Sequence, residues 1–316
     1  MSEILLADIG GTTSRFGFAG ANGRPDGIMT VANDSMDGPA AAIEECLARH
    51  AIAPRAAVFA VAGPVDGDEI ALTNRAWRFS LRDLSRRFGF SEVRAINDFE
   101  AVAWALPSLA AGDIRSLGGS FVAARGAKVA LGPGTGLGLS ALVPHGKGWC
   151  ALASEGGHVS FGPVTADEEK LWAHLRRHCG AVSAETVLSG SGLSRLHAAL
   201  HQELPRCDSE TIVAAAQGGD PGACRTVITF VRMLGRFAGD AALTFKATGG
   251  VYLCGGVALG LGALLDGRIF RQAFEAHPPH QRLLEQIPVA LVTMPEPGLL
   301  GCAALARQML RESVTA

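Results

Sequence analysis

The 316-residue sequence has little lysine, which occurs only at positions 128, 147, 170 and 246, and no excess of either charge, with a formal net charge of −2. No electrostatic footprint for DNA, RNA or an anionic membrane is therefore expected. The seven cysteines, at 46, 150, 179, 207, 224, 254 and 302, show no CxxC spacing and no neighbouring histidine pattern. They read as buried thiols in a reducing compartment, with neither a disulfide framework nor a zinc site. The N-terminal apolar run lacks a basic flank and is interrupted by Asp8, so no signal peptide is expected. Ala247 to Leu265 is 19 residues without a charge, long enough to raise a membrane span. Six of those residues are glycine, and the stretch reads instead as a strand, a glycine turn and a helix start. GxxxxGK[ST] occurs nowhere, which excludes a P-loop nucleotide site.

What the chain does have is glycine, 40 residues of it, clustered in a few loops. Its length suffices for about two domains with a sizeable core, and the hydrophobic fraction of 48% fits a soluble globular protein. Ile4 to Ala7 reads as a buried strand, and Phe16 to Ala19 as its hairpin partner. The turn between them, Asp8 to Arg15, is rich in glycine and hydroxyl groups. Glycines at 10 and 11 let the backbone approach a ligand, and successive N–H groups there, with Thr12 and Thr13, make a concave anion site. Asp8, at the strand end, is placed to hold a magnesium ion through water. An ordinary tight hairpin accounts for the same turn residues.

Helices are expected over 38–50 and 81–88, and strands over 58–62 and 93–96, an α/β order. RAINDFEAVAWALP, Arg94 to Pro107, brings a strand end, Asn97-Asp98, and a helix from Phe99 to Leu106 that Pro107 stops. In open α/β sheets ligands collect at the carboxyl ends of strands, so a carboxylate here can face a substrate. Taken alone, the pair reads first as a helix N-cap. Gly112 to Ala127 is glycine-rich, and a domain boundary is placed near Leu109. A second hairpin follows, 129–132 and 137–143 around Pro133-Gly134-Thr135-Gly136, so each half of the chain opens with a glycine-threonine turn. Two such turns across a cleft would hold the ends of a polyphosphate. Further helices are expected over 167–178, 191–201, 223–245 and 298–311. The third carries an apolar stripe of Val227, Phe230, Val231, Leu234, Phe237 and Ala241. Val251 to Cys254 is a strand running into Gly255-Gly256, where a nucleoside could lie on bare backbone or the glycines could simply serve strand–helix packing.

LLADIGGTTSRFGF, INDFEAVAWAL, LGPGTGLGLS, SEGGHVSF, SAETVLSGSGL, LCGGVALG and GLLGCAALA occur together and in order. In that register the chain resembles the bacterial glucokinases of the enterobacterial type, within the actin-like sugar-kinase superfamily, over nearly its whole length. The resemblance implies a two-domain actin-like (ribonuclease H-like) α/β ATPase fold of mixed sheets flanked by helices, with an interdomain cleft. The smaller domain would be 1–108 plus 299–316, and the larger 109–298. It implies ATP- and Mg²⁺-dependent phosphorylation of glucose at its 6-hydroxyl, the first step of glycolysis, in the cytoplasm. A homodimer is expected from the family alone. Asp98 matches the family's catalytic base, and Asn97, Asp98, Glu155, His158 and Glu185 its sugar-contacting positions. Asp8 (through Mg²⁺), Gly10, Gly11, Thr12, Thr13, Gly134, Thr135, Gly136, Gly255 and Gly256 would receive the nucleotide. Partners would be glucose and ATP, without nucleic acid or membrane. The alternatives are a kinase for another hexose and a sugar-responsive regulator without catalysis. The latter usually carries a DNA-binding headpiece, whereas the first strand here begins at Ile4.

Overall fold

Leu5, Leu6, Ala7 and Ile9 are fully buried in β1 (Ile4–Ile9), which a central strand covered on both faces requires. The computed structural model describes residues 4–73, 75–119, 125–201 and 207–315. From β1 the chain returns through β2 (Thr13–Ala19) and β3 (Pro25–Ala32). It then passes through α1 (Pro39–His50), β4 (Ala56–Val61), the small hairpin β5 (Glu69–Ala71) and β6 (Arg78–Ser80), α2 (Leu81–Phe88), β7 (Glu92–Asn97) and α3 (Asp98–Ala105). Next come β8 (Ile114–Gly118), β9 (Lys128–Pro133), β10 (Leu137–His145), β11 (Gly148–Ser154), α4 (Ala166–Cys179), α5 (Ala184–Val187), α6 (Gly190–Leu200), α7 (Ser209–Gln217) and α8 (Pro221–Thr244). The chain ends through β12 (Val251–Leu253), α9 (Gly256–Gly260), α10 (Gly267–Glu275), α11 (Gln281–Gln286), β13 (Val289–Val292) and α12 (Pro297–Thr315).

Contacts divide the chain into two units. The first comprises Met1–Leu109, His145–Ala153 and Met294–Ala316; the second comprises Ala110–Pro144 and Ser154–Thr293. The sequence boundaries gave 145–153 to the larger domain and began the C-terminal return at 299. In the first unit the sheet order is β3-β2-β1-β4-β7, with β1, β4 and β7 parallel. The register sets Ile9 beside Val61 and Val61 beside Asn97, so three strands finish level at one edge. That edge carries Gly10, Gly63 and Asp98. In α12, Leu299, Leu300, Cys302, Ala303 and Ala306 are buried, and Gly301 lies directly on the Ala101 backbone of α3.

In the second unit the strands run β10-β9-β12-β13-β8. β9 and β10 form an antiparallel hairpin, β12 and β13 run parallel to β9, and β8 closes antiparallel to β13. The long helix α8 starts at Pro221 under an Asp220 cap, whose side chain accepts from Ala223 N–H. Its stripe of Val227, Phe230, Val231, Leu234, Phe237 and Ala241 is buried as the spacing requires.

Several expectations need correction. Gly112 to Ala127 is more than a glycine-rich connection, because β8 lies in it; residues 120–124 of that stretch lie outside the described residues. β3, β11, β13, α7, α10 and α11 were not expected. The helix after Asp98 ends at Ala105, and Leu106–Ser108 continue it as a 3₁₀ turn that includes Pro107. All seven cysteines are free, but they are not all buried: Cys46, Cys254 and Cys302 are, whereas Cys150 and Cys179 are exposed. Among the described residues no helix is long and apolar enough to cross a membrane.

Candidate active site

At the level edge of the first sheet, Asn97 keeps an extended backbone and caps α3. Its Oδ1 accepts from Phe99 N–H at 2.9 Å, and its Nδ2 donates to the Gly63 carbonyl at 3.2 Å. The cap thus belongs to Asn97. Asp98 is the next residue, in the first helical turn, with Oδ1 2.8 Å from the same Phe99 nitrogen. Glu100 lies one residue beyond Phe99, and burial pushes its carboxyl up.

Asp8 belongs to the same neighbourhood. Burial, foremost, pushes its carboxyl up to about 6; Arg15 works against this, while the charges of Asp98 and Glu296 add to it. Arg15 is itself held by Glu296, with Nε donating to Oε1 at 2.9 Å. The Gly10–Thr13 turn is closed by Gly10 N–H donating to the Thr13 carbonyl at 3.2 Å.

Magnesium fits Asp8 in one manner only. Among the described residues no cluster of three His, Cys, Asp or Glu side chains is spaced to hold a metal. A cation here would draw most of its ligands from water and phosphate oxygens, which is the usual mode for Mg²⁺. A Cβ on Gly298 would lie 2.9 Å from Asp8 Oδ2, so a residue without a side chain keeps that space open. The destabilised carboxylate is also one that a nearby cation would relieve.

In the second unit, the turn between β9 and β10 is held from two sides. Gly134 N–H donates to the Gly136 carbonyl at 2.8 Å, and Gly190 N–H, at the start of α6, donates to the Gly134 carbonyl at 2.9 Å. Leu137 N–H donates to Glu185 Oε2 at 2.9 Å. Glu185 approaches so closely that a Cβ on Gly136 would sit 2.5 Å from that oxygen. Ser183 fixes the short helix α5 that presents Glu185, because its side chain accepts from Thr186 N–H. His158 Nε2 stands 4.0 Å from Glu185 Oε2 and 3.8 Å from Glu155 Oε2. The His158 and Glu155 side chains are exposed and that of Glu185 is partly so, which leaves polar atoms available to a hydroxylated ligand. Gly255 has φ +93°, which favours glycine, and a Cβ there would meet the Pro133 carbonyl at 2.6 Å. Gly256, the next residue, has open space above its Cα.

The first unit therefore gathers Asp8, Gly10 to Thr13, Asn97 and Asp98, and the second gathers Gly134 to Gly136, Glu155, His158, Glu185 and Gly255. The family model described as Glucokinase matches residues 5–309. The chain belongs to the glucokinase family. A curated glucokinase of Paramagnetospirillum magneticum (strain ATCC 700264 / AMB-1) is 40% identical over 310 residues, covering 96% of this chain and 97% of that protein. One of Chelativorans sp. (strain BNC1) is 39% identical, covering 98% and 93%. The crystal structure of a glucokinase from an Antarctic psychrotroph superposes with a TM-score of 0.91 at 32% identity, covering 98% of this chain and 99% of that one. The mixed-sheet α/β architecture is thus that of the actin-like sugar kinases.

Within this glucokinase-family chain the sequence reading passed over several residues beside the site. Gly190 lies in the SGSGL block and Gly298 opens GLLGCAALA, so both had a motif to mark them. Glu296 and Asn33 had none. Asn33 sits in VANDSMDG, which reads as a surface turn, yet it is fully buried.

Proposed function

We propose that this chain transfers the γ-phosphoryl group of ATP to the exocyclic 6-hydroxyl of D-glucose, as a cytoplasmic homodimeric glucokinase. Asp98 acts as the general base that takes the hydroxyl proton as the new P–O bond forms. The observation that carries this role is the place of the Asp98 carboxylate, directly after the level strand ends and close enough to Asp8 for its charge to push that carboxyl up. General-base assistance contributes roughly 10²–10⁴ in rate, whereas a helix cap contributes about 1 kcal/mol of stability.

Glu155, His158 and Glu185, together with Asn97, match the paired donors and acceptors of sugar hydroxyls. A site built this way rejects analogues that lack a hydroxyl by up to about 10⁴. The N–H groups of the Gly10–Thr13 and Gly134–Gly136 turns receive phosphate oxygens, and Gly255-Gly256 offers bare backbone to the adenosine. Asp8 would hold Mg²⁺ through water; bound there, the ion supplies neutralisation of the phosphate charge.

The test is a panel of hexoses with ATP or polyphosphate as donor, run for the wild type and Asp98→Asn, with the oligomer read by light scattering. Glucose 6-phosphate from glucose and ATP is expected, with kcat lowered about 10²–10⁴-fold in the variant and its melting temperature nearly unchanged. A variant that turns over normally but melts well below the wild type would make Asp98 a structural residue and sink the assignment. Sequence-selective DNA binding without turnover would point to the regulator instead.

A further inference from the structure

Asn33, the residue after β3, is fully buried, and its amide nitrogens are spent on one loop. Its Nδ2 donates to the Gly10 carbonyl at 2.8 Å and to the Gly11 carbonyl at 3.2 Å. Its backbone N–H donates to the Thr12 carbonyl at 2.8 Å. The fourth carbonyl of the turn, that of Thr13, accepts from Gly10 N–H at 3.2 Å. Buried Ser14 donates to Asn33 Oδ1 at 2.7 Å, which fixes the end of the amide that faces the loop. Arg75 adds a bond from Nη2 to the Asn33 carbonyl at 2.8 Å. Every carbonyl from Gly10 to Thr13 is therefore engaged. Among the described residues, the N–H groups of Gly11 and Thr12 have no hydrogen-bond partner.

A turn whose carbonyls are all occupied and whose free groups are N–H donors is an anion receptor, because consecutive N–H dipoles converge on one side. Without the amide, the Gly10 carbonyl would lose its donor and the Gly11 carbonyl would keep only the longer bond from Arg75 Nη1, at 3.4 Å, so both could rotate toward the ligand and set oxygen against phosphate oxygen. We propose that Asn33 is the positioning residue that polarises the Gly10–Thr13 loop for phosphate, with Ser14 holding its amide in the productive orientation. This rests on the reading that the loop receives the nucleotide phosphates.

The experiment compares the wild type, Asn33→Asp and Ser14→Ala by steady-state kinetics in both substrates, with melting temperatures recorded. Asn33→Asp keeps the acceptor for Ser14 but removes both amide donors and sets a carboxylate behind two carbonyls. Its KM for ATP should rise about 10- to 100-fold, with the KM for glucose within about twofold of wild type. Ser14→Ala should raise the KM for ATP about three- to tenfold in the same selective way. A purely structural residue would lower stability and the active fraction without favouring one substrate. An unchanged KM for ATP, or an equal rise for both substrates, overturns the inference while leaving the proposed function intact. Should Asn33→Asp fail to fold, Ser14→Ala decides by the same criterion. A wild type that does not phosphorylate glucose with ATP would remove the proposed function and this inference together.

Discussion

Each unit builds a glycine-rich turn in the same place, at the end of a strand that returns antiparallel and has a parallel neighbour on its other side. β1 and β2 stand beside β4, and β9 and β10 beside β12. What braces the two turns is different. Behind the first is a buried neutral amide, which supplies donors and uses up the carbonyls. Beside the second is the Glu185 carboxylate, which takes the Leu137 N–H, while Gly190 takes the Gly134 carbonyl. A carboxylate so close is a poor neighbour for phosphate, since two like charges about 4 Å apart repel by about 4 kcal/mol at an effective dielectric of 20. The same topology therefore yields a first turn whose amide brace favours phosphate and a second whose hold on phosphate is the weaker, being tied through Glu185 and His158 to groups that suit hydroxyls.

The largest effect expected from this difference is at Asp8, the carboxylate on the anion-ready side. Asp8→Asn should cut turnover by at least about a hundredfold, since charge neutralisation by a held cation is worth several kcal/mol. The same substitution should stabilise the ligand-free protein. The Asp8 carboxyl is raised from 3.8 to about 6, so the folded state binds its proton more tightly than the unfolded chain does. The stabilisation this gives is complete below about pH 4, and it is lost as pH rises through about 6. Above that, the charged carboxylate costs the fold up to roughly 3 kcal/mol. Denaturant titrations across this range should show the decline in wild type and a flatter profile in Asp8→Asn. If the variant is instead less stable at neutral pH, the carboxylate is already compensated, and the first turn loses part of its distinction.

Glu185 gives the next test, from the other turn. Glu185→Ala removes both a hydroxyl partner and the acceptor for Leu137 N–H, and should raise the KM for glucose about 10- to 100-fold. Glu185→Gln keeps an acceptor oxygen and should cost about three- to tenfold. The comparison breaks if Glu185→Ala alters only ATP parameters, for then Glu185 would serve the nucleotide and not the sugar.

How much of this could be read from the sequence depends on distance along the chain. α2 was bounded correctly because its signals are local: Ser80 caps it and Gly89, in the left-handed conformation, ends it. The α8 stripe was legible because 3.6-residue periodicity needs no partner. β3 was missed because, although its burial alternates along the whole strand, two of its inward positions are Pro25 and Gly27, which carry no strand signal. α10 offered Phe270 and Phe274 four residues apart, a signal present but not used. At the site, the motif blocks carried the family but could not show which atoms were committed. That the Asn97 amide is occupied by Phe99 and Gly63 depends on a residue 34 positions away. The Glu185 bond to Leu137 spans 48 positions, and Asn33 reaches Gly10 across 23. Such pairings follow from sheet register, which residue types alone do not specify.

The smallest expected effect contrasts the pH response of the two units. In the second, His197 on α6 is buried, and its Nδ1 lies 2.9 Å from Thr226 Oγ1 on α8. Burial, foremost, holds its imidazole below the ordinary value; His201 acts in the same direction, and Asp220 acts against both. The folded state therefore binds this proton less tightly than the unfolded chain, so the stability it contributes is present above about pH 6.5 and is lost as pH falls. Asp8 gives the first unit the opposite slope. Amide hydrogen exchange followed as pH is lowered from about 7 toward 5 should show α6 and α8 losing protection while β1 gains it, because each group acts where it is buried. Thr226→Val would strip His197 of its partner, at about 1–3 kcal/mol, and should weaken α6 and α8 without touching β1. Protection that moved in parallel in both units would mean that they open as one cooperative body, and the contrast would then lie in their chemistry alone.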